Sequence, residues 1–251
     1  MVSARPAAYP VLRFASLDST NNEARRRAEA GEVGPLWITT AEQTAGKGRR
    51  GRGWSLGPGD LAATLLTTTT RPEAAQVSFI AALAVGDLVR AYVPPSLVVY
   101  KWPNDVLLDG GKVSGILIES GRAASGGLWL GVGIGVNLAH QPNDVERPAA
   151  AIANHLRHGV VAPPIAEEAL EDLSRSFARW FALWEAKGFA PIREAWMASA
   201  PGIGKPCVAR LDRETVQGVA EGLDMDGVLL MRLDDGGLRR IAAGDVFFPQ
   251  G

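Results

Sequence analysis

The sequence predicts an α/β (α+β) fold, a mixed sheet with flanking helices followed by a small all-β domain. Three observations predict it: short apolar runs alternate with longer helical stretches through the first 199 residues, helix-ending residues cluster in Ser199 to Gly204, and helical rhythm vanishes afterwards. Strands are expected at 11–14, 36–43, 61–68, 97–101, 112–120 and 128–138. Helices are expected over 21–30, 73–92, 165–187 and 189–199. The first is announced by Thr20-Asn21-Asn22-Glu23, which fits a capping box, and is stopped by Gly31. The second repeats Val77, Ile80, Ala81, Ala84 and Leu88 at helical steps, and the third carries Phe177, Trp180, Phe181 and Trp184 as core aromatics. Beyond the break, CVARL, VQGVAEGL, VLLMRL, LRRIA and DVFF are β-prone runs parted by turn residues, the texture of a small barrel. Two domains follow, 1–202 and 203–251.

Composition narrows the classes. The 251 residues are 47% hydrophobic and 21% charged, ordinary values for a chain with a sizeable core. Lys and Arg number 26 against 27 Asp and Glu, so any anion site must be local. One cysteine, Cys207, excludes an internal disulfide, and three histidines, His140, His155 and His158, offer little for a zinc cluster, so no dedicated metal site is expected. No apolar run approaches the roughly 20 residues of a membrane span, and the first residues lack a signal-peptide core, which reads as cytoplasmic.

Chemistry concentrates in residues 44–60, TAGKGRRGRGWSLGPGD, a glycine-rich loop between two strands that carries Lys47, Arg49, Arg50 and Arg52. Backbone amides freed by glycine, together with guanidinium forks, suit phosphate or carboxylate oxygens, and such a loop is expected to be mobile until an anion fixes it. Gly46-Lys47-Gly48-Arg49-Arg50-Gly51 satisfies GxGxxG, but Gly53, Pro58 and Gly59 forbid the helix that a dinucleotide site needs next. Farther on, Lys101-Trp102-Pro103-Asn104-Asp105 ends a strand with polar groups, and Asp109-Gly110-Gly111 turns into the strand that starts at Lys112. Simple alternation sets Lys112, Ser114, Ile116 and Ile118 on one face against Val113, Gly115, Leu117 and Glu119 on the other. Gly115 leaves room for a ligand or a backbone.

Taken in order, Asp18-Ser19-Thr20-Asn21, Gln43 with AGKGRRGRGW, KWPND, KVSGILIE and GVGIGVNL resemble the biotin protein ligase family. The resemblance implies a catalytic domain like the class II tRNA synthetases, a C-terminal SH3-like barrel, and synthesis of biotinyl-5′-adenylate from biotin and MgATP before transfer to a lysine of a biotin carboxyl carrier domain. It assigns Ser19, Thr20, Asn21, Gln43, Gly46, Lys47, Gly48, Arg49, Lys112 and Gly115 to biotin. It assigns Arg49, Arg50, Arg52, Trp54, Lys101, Asn104, Asp105 and Asn137 to the nucleotide, with Lys112, Arg49 and Asp105 catalytic and magnesium near Asp105. Thr20 also fits helix capping, Asn137 a strand-end turn and Lys101 a strand-end cation. Many relatives carry Arg where Lys47 stands, which exchanges a bidentate fork for a point charge. With only about ten residues before the first strand, no winged-helix repressor segment and no operator binding are expected. Monomer and homodimer both remain open. A lipoate ligase of the same fold group and a non-catalytic RNA- or protein-binding module are the alternatives.

Overall fold

The computed structural model describes residues 9–142 and 148–248; the leader reading of the first eight residues lies outside them. A seven-stranded sheet forms the frame. Its strands are β1 (Val11–Leu17), β2 (Leu36–Gln43), β3 (Leu61–Thr69), β4 (Val98–Lys101), β5 (Asp105–Leu108), β6 (Gly111–Arg122) and β7 (Leu128–Val136), in the order β1-β2-β3-β7-β6-β5-β4. Only β1 and β2 pair in parallel, because α1 (Thr20–Glu29) forms the crossover between them, so the sheet is mixed as expected.

Alternation along the strands separates two apolar layers. Leu36, Ile38 and Leu66 point to the α1 face, where they meet Ala24, Ala28 and Trp129. Trp37, Leu61 and Leu65 point to the other face, covered by α2 (Val77–Arg90), α3 (Ala166–Lys187) and α4 (Ala190–Met197). Of the α3 aromatics, Phe177 and Trp184 are fully buried and Trp180 and Phe181 pack at the margin. Large indoles enter this layer with their donors satisfied, Trp37 Nε1 by Ser174 at 2.9 Å and Trp184 Nε1 by Gln76 at 2.7 Å.

The C-terminal unit is a five-stranded antiparallel sheet of β8 (Pro206–Arg210), β9 (Thr215–Leu223), β10 (Leu229–Arg232), β11 (Leu238–Ile241) and β12 (Asp245–Phe247), in the order β11-β10-β9-β8-β12. It is docked firmly: Trp102 Nε1 donates to Gly227 O at 3.1 Å, Gln76 Nε2 to Met225 O at 3.0 Å, and its buried residues join the main core.

One local expectation is corrected. The cap of α1 is Ser19 rather than Thr20, the Ser19 side chain makes no capping hydrogen bond, and Glu23 pairs with Arg26 and Arg27 instead. Thr20 is drawn off toward Gln43 and Thr64, as described below. Order at the helix start comes from Asp18, whose carboxylate accepts from Ser19 N at 2.8 Å, Asn22 Nδ2 at 2.7 Å and Arg26 at 2.9 Å.

The Arg26 guanidinium, with Asn22 and the Ser19 amide assisting, holds the Asp18 carboxyl well below the usual carboxylate range. A depressed carboxyl stabilises the fold above its unfolded value, near 4, and loses that contribution as pH falls toward the folded value. Asp18→Asn is therefore expected to lower the Tm by about 2–4 °C at pH 7, discounted for its exposure, with the gap closing below about pH 4 in a pH series of thermal melts.

Candidate functional site

The cleft lies where the α1 face of the sheet has been stripped of side chains. Strand β7 alternates Gly131, Gly133 and Gly135 with Leu130, Val132, Ile134 and Val136, so its core face is aliphatic and its other face is bare backbone. Gly135 sits between Ala62 of β3 and Gly115 of β6, which extends the floor across three strands. The Trp54 indole rests on it: a Cβ on Gly135 would come within 2.2 Å of the ring, and one on Gly115 within 2.7 Å. One pair earlier, a Cβ on Gly133 would lie 1.9 Å from Asn21 Oδ1. Glycine is needed at these positions because other groups occupy the space.

Lys112 reaches the same floor through a bulge. The register runs Val106↔Ser114 and then Leu107↔Lys112, leaving Val113 as an extra residue on β6. The alternation expected from the sequence fails at this point, and Lys112 joins the face of Gly115 and Leu117. Its ammonium lies 2.5 Å from Asp105 Oδ1 and 5.9 Å from the centroid of the Trp54 ring. Asp105 is buried, and its neighbour Asn104 accepts from Arg49 Nη1 at 2.9 Å while donating to Ile116 O at 2.6 Å. Asn137 donates to Ala150 O at 3.0 Å and to Lys112 O at 3.3 Å, tying the bulge to the following segment. Its Oδ1 is buried with no hydrogen-bond partner among the described residues, as is Trp54 Nε1.

Above the floor, residues 46–54 fold into a tight hairpin: Gly48 N donates to Arg52 O at 2.7 Å and Trp54 N to Gly46 O at 3.0 Å. Its tip, Arg49–Gly51, is a single 3₁₀ turn, in keeping with the absence of a dinucleotide-type helix. Arg50 holds φ 57°, a left-handed conformation uncommon for a side-chain-bearing residue. The base of the loop is fixed by Asp60, whose buried carboxylate accepts from the amides of Leu138, Ala139 and His140 at 2.9–3.0 Å. Lys47 donates to Asn22 at 2.6 Å. Burial lowers the Arg49 pKa, the cost of keeping a guanidinium poorly hydrated.

The cationic residues therefore divide. Lys47, Arg49, Arg52 and Lys112 line a cavity of about 380 Å³, within the range of small-molecule sites. Arg50 turns to Asp212 and Asp245 of the C-terminal sheet, and Arg52 also reaches Asp245 at 3.1 Å. Lys101 lies over the Phe247 ring at 5.4 Å. Neither Arg50 nor Lys101 lines the cavity, and Gly46 lies beneath it against Trp54 and Gln43. The remaining predicted residues do line it: Ser19, Thr20, Asn21 and Gln43 at one end, Asn104, Asp105 and Asn137 at the other, with Gly48, Trp54 and Gly115 between. Sequence reasoning missed Thr64, Glu119, Asp60, Asp212 and Asp245. Only the spaced glycines of GVGIGV carried a readable signal for an unnamed part of the site. Among the described residues no group of three His, Cys, Asp or Glu could hold a metal ion.

Residues 13–138 match the biotin/lipoate A/B protein ligase family, and residues 202–248 match the biotin protein ligase C-terminal domain. Over 246 residues the chain is 44% identical to the biotin–[acetyl-CoA-carboxylase] ligase of Paracoccus denitrificans, covering 94% of this chain and 99% of that protein. This chain belongs to the biotin/lipoate A/B protein ligase family. It is 30% identical to the bifunctional ligase/repressor BirA of Bacillus subtilis strain 168, covering 92% of this chain and 71% of that protein. Its fold is similar to that of the biotin protein ligase from Aquifex aeolicus in complex with biotin and ATP, with a TM-score of 0.80 at 21% identity over 96% of this chain and 99% of that one.

For this member of the biotin/lipoate ligase family, the glycine floor yields a direct test. Gly135→Ala is expected to displace the Trp54 indole and loosen the hairpin. Limited trypsin digestion should then cut at Lys47 to Arg52 at least several-fold faster, with the far-ultraviolet circular dichroism unchanged.

Proposed function

We propose that this protein is an ATP-dependent biotin protein ligase that joins biotin and MgATP into biotinyl-5′-AMP and passes the biotinyl group to a lysine of a biotin carboxyl carrier domain. The observation that carries the reading is the convergence of Lys112, Arg49, Asn104 and Asp105 on one cavity whose far end presents Ser19, Thr20 and Gln43. That arrangement separates an anion-handling end from a neutral hydrogen-bonding end. The close relationship to the Paracoccus ligase supports the choice of acid and acceptor.

A carboxylate does not acylate an amine in neutral water, so its oxygen must first attack the α-phosphorus of the nucleotide while the bond to the β-phosphate breaks and pyrophosphate leaves. Lys112 is suited to hold the biotin carboxylate for that attack, sharing the ammonium now bonded to Asp105. Arg49, poorly hydrated and backed by Asn104, meets the growing negative charge on the phosphate oxygens, and Arg52 adds to the same field. Magnesium belongs to the substrate, MgATP. In the second step the neutral amine of the carrier lysine attacks the acyl carbon and AMP departs with the bonding pair. Asp105, facing the cavity, is the carboxylate placed to take the amine proton. The unpartnered Asn137 Oδ1 offers an acceptor for the nucleotide. Arg50 and Lys101, turned toward the barrel, are not among the contacts we propose. In this reading the catalytic unit is 1–202 and the barrel 203–251.

Among the described residues no helix is long and apolar enough to cross a membrane, and the buried Cys207 thiol fits a reducing compartment, so we place the enzyme in the cytoplasm. We propose ligation without operator binding: the 26 Lys and Arg are balanced by 27 Asp and Glu, and Arg50 and Arg52 of the glycine loop already face the carboxylates of Asp212 and Asp245. An electrophoretic shift on specific DNA at nanomolar protein would refute that part.

ATP–pyrophosphate exchange tests the reading. Exchange should depend on biotin, fail with lipoate, and fall more than tenfold in Arg49→Ala with a nearly unchanged Tm, since the side-chain hydrogen bond given up is to the neutral Asn104. Lys112→Gln should lose as much activity. It also removes the cation from the buried Asp105 and is expected to lower the Tm, unlike Arg49→Ala. Lipoate-dependent exchange would move the assignment to the other branch of the family, and RNA binding without exchange would replace it altogether.

A further inference from the structure

Behind the Thr20–Gln43 end of the cavity lies a chain of hydrogen bonds whose distances favour one direction. Asn21 Nδ2 lies 2.9 Å from Glu119 Oε2 and 3.4 Å from Leu117 O. A carboxylate and a carbonyl only accept, so the amide nitrogen must face them and Oδ1 must face Thr64, 2.8 Å away. Arg25 Nη1 lies 3.9 Å from Glu119 Oε1 and pairs with it from the solvent side. Gly133 provides the space, because any Cβ there would collide with Asn21 Oδ1.

The remaining protons are then assigned in turn. Two hydroxyl protons serve three oxygen–oxygen contacts of 2.8, 2.8 and 3.2 Å, so the two short contacts take them, and Asn21 Oδ1, which has no proton to give, receives that of Thr64. Thr20 Oγ1 lies 2.8 Å from Thr64 Oγ1, and the proton between these oxygens must be that of Thr20. At the other side of Thr20, its backbone N–H donates to Gln43 Oε1 at 3.0 Å, which fixes the oxygen of that amide toward it. Thr20 Oγ1 and Gln43 Oε1 are consequently left 3.2 Å apart with no proton to share. Both residues line the cavity, whereas Thr64 and Glu119 do not. Two adjacent acceptors at the cavity wall, one buried and one half-buried, are unfavourable until a donor sits between them, and they repel a ligand oxygen in the same place.

We infer that Thr64 and Glu119 are positioning residues that set the polarity of the Thr20–Gln43 subsite, making it a paired acceptor that selects an N–H group of the ligand. The inference rests on the biotin reading, in which that group is a ureido N–H. It adds the reason why the subsite discriminates: the proton order is imposed from behind the cavity, through Asn21, by groups that never meet the ligand. A site wired to accept rejects an analogue lacking the donor far better than shape alone can.

The test uses the full chain and two ligands, biotin and a cyclic carbonate analogue in which each ureido N–H is replaced by oxygen, with the analogue read as a competitive inhibitor of biotin-dependent exchange. In the wild type the analogue should bind at least a hundredfold more weakly than biotin. Thr64→Val keeps the shape and removes the relay, so Thr20 can turn its proton toward Gln43 or the ligand. The KM for biotin should rise about tenfold, the KM for ATP should stay within twofold, and discrimination against the carbonate should fall at least tenfold. Thr64→Ser should restore both values. Glu119→Met, at a partly exposed strand position, is the second variant and should lower discrimination at least threefold in the same direction.

Unchanged discrimination in Thr64→Val and Glu119→Met would overturn the inference, as would a parallel rise in the KM for both substrates, which marks general damage. If Thr64→Val does not fold, the Glu119→Met ratio alone decides. Absence of biotin-dependent exchange in the wild type would instead defeat the ligase reading.

Discussion

Close approach to a sheet face is the constraint on which this site depends. An antiparallel sheet ordinarily presents a carpet of side chains on each face, and a ligand resting on it would lie several ångströms from the backbone. Gly115, Gly133 and Gly135, with Ala62 beside them, remove that carpet over a few square residues and let Trp54 and Asn21 descend to the strands. Everything else is arranged around the depression. The bulge at Val113 swings Lys112 over its edge, and Asp105 on the neighbouring strand meets the ammonium there. The aliphatic face of the same strands anchors the floor in the main core, so the depression costs the fold little rigidity.

Electrostatic order in the cavity follows from that geometry. Charged groups gather where the glycine loop overhangs the β5–β6 hairpin, whereas the cavity-lining residues at the start of α1, Ser19, Thr20 and Asn21, are neutral, with Lys47 tied back to Asn22 beside them. The helix start is not capped by a side chain in the usual way, since Thr20 is committed to Thr64 and Gln43. Asp18 takes over the task of holding the chain there. Local stability has been given up at one residue and recovered at its neighbour, a pattern common where a side chain is needed for recognition.

Much of this was legible in the sequence. The alternating apolar runs located every strand of the large sheet except β5, which the turn at Asp109-Gly110 still implied, and the loss of helical rhythm marked the second sheet. Motif residues such as Lys112, Asn104 and Asp105 stand out as polar groups at the ends of buried strands. What could not be read was anything requiring knowledge of register. A bulge inverts which face a residue occupies, and no residue type announces the one at Val113. Thr64 looks like any β-branched strand residue, and Glu119 like any solvated one; their roles appear only once three strands and a helix are brought together. Distance along the chain hid Asp212 and Asp245 as well, since each lies more than 150 residues from its arginine.

Those two acidic residues give the C-terminal sheet a hand on the loop. The guanidinium groups they hold belong to the same short segment that meets phosphate oxygens in the proposed reaction, so an arriving polyanion competes with the barrel for a shared supply of positive charge. Thermodynamic reciprocity then links the two events: to the extent that a guest draws guanidinium away from the barrel, the factor by which the barrel weakens the hold on the guest is the factor by which the guest loosens the barrel. An appendage that looks like a passive counterweight thereby becomes a rheostat for affinity, adjustable by substitutions far from any reacting atom.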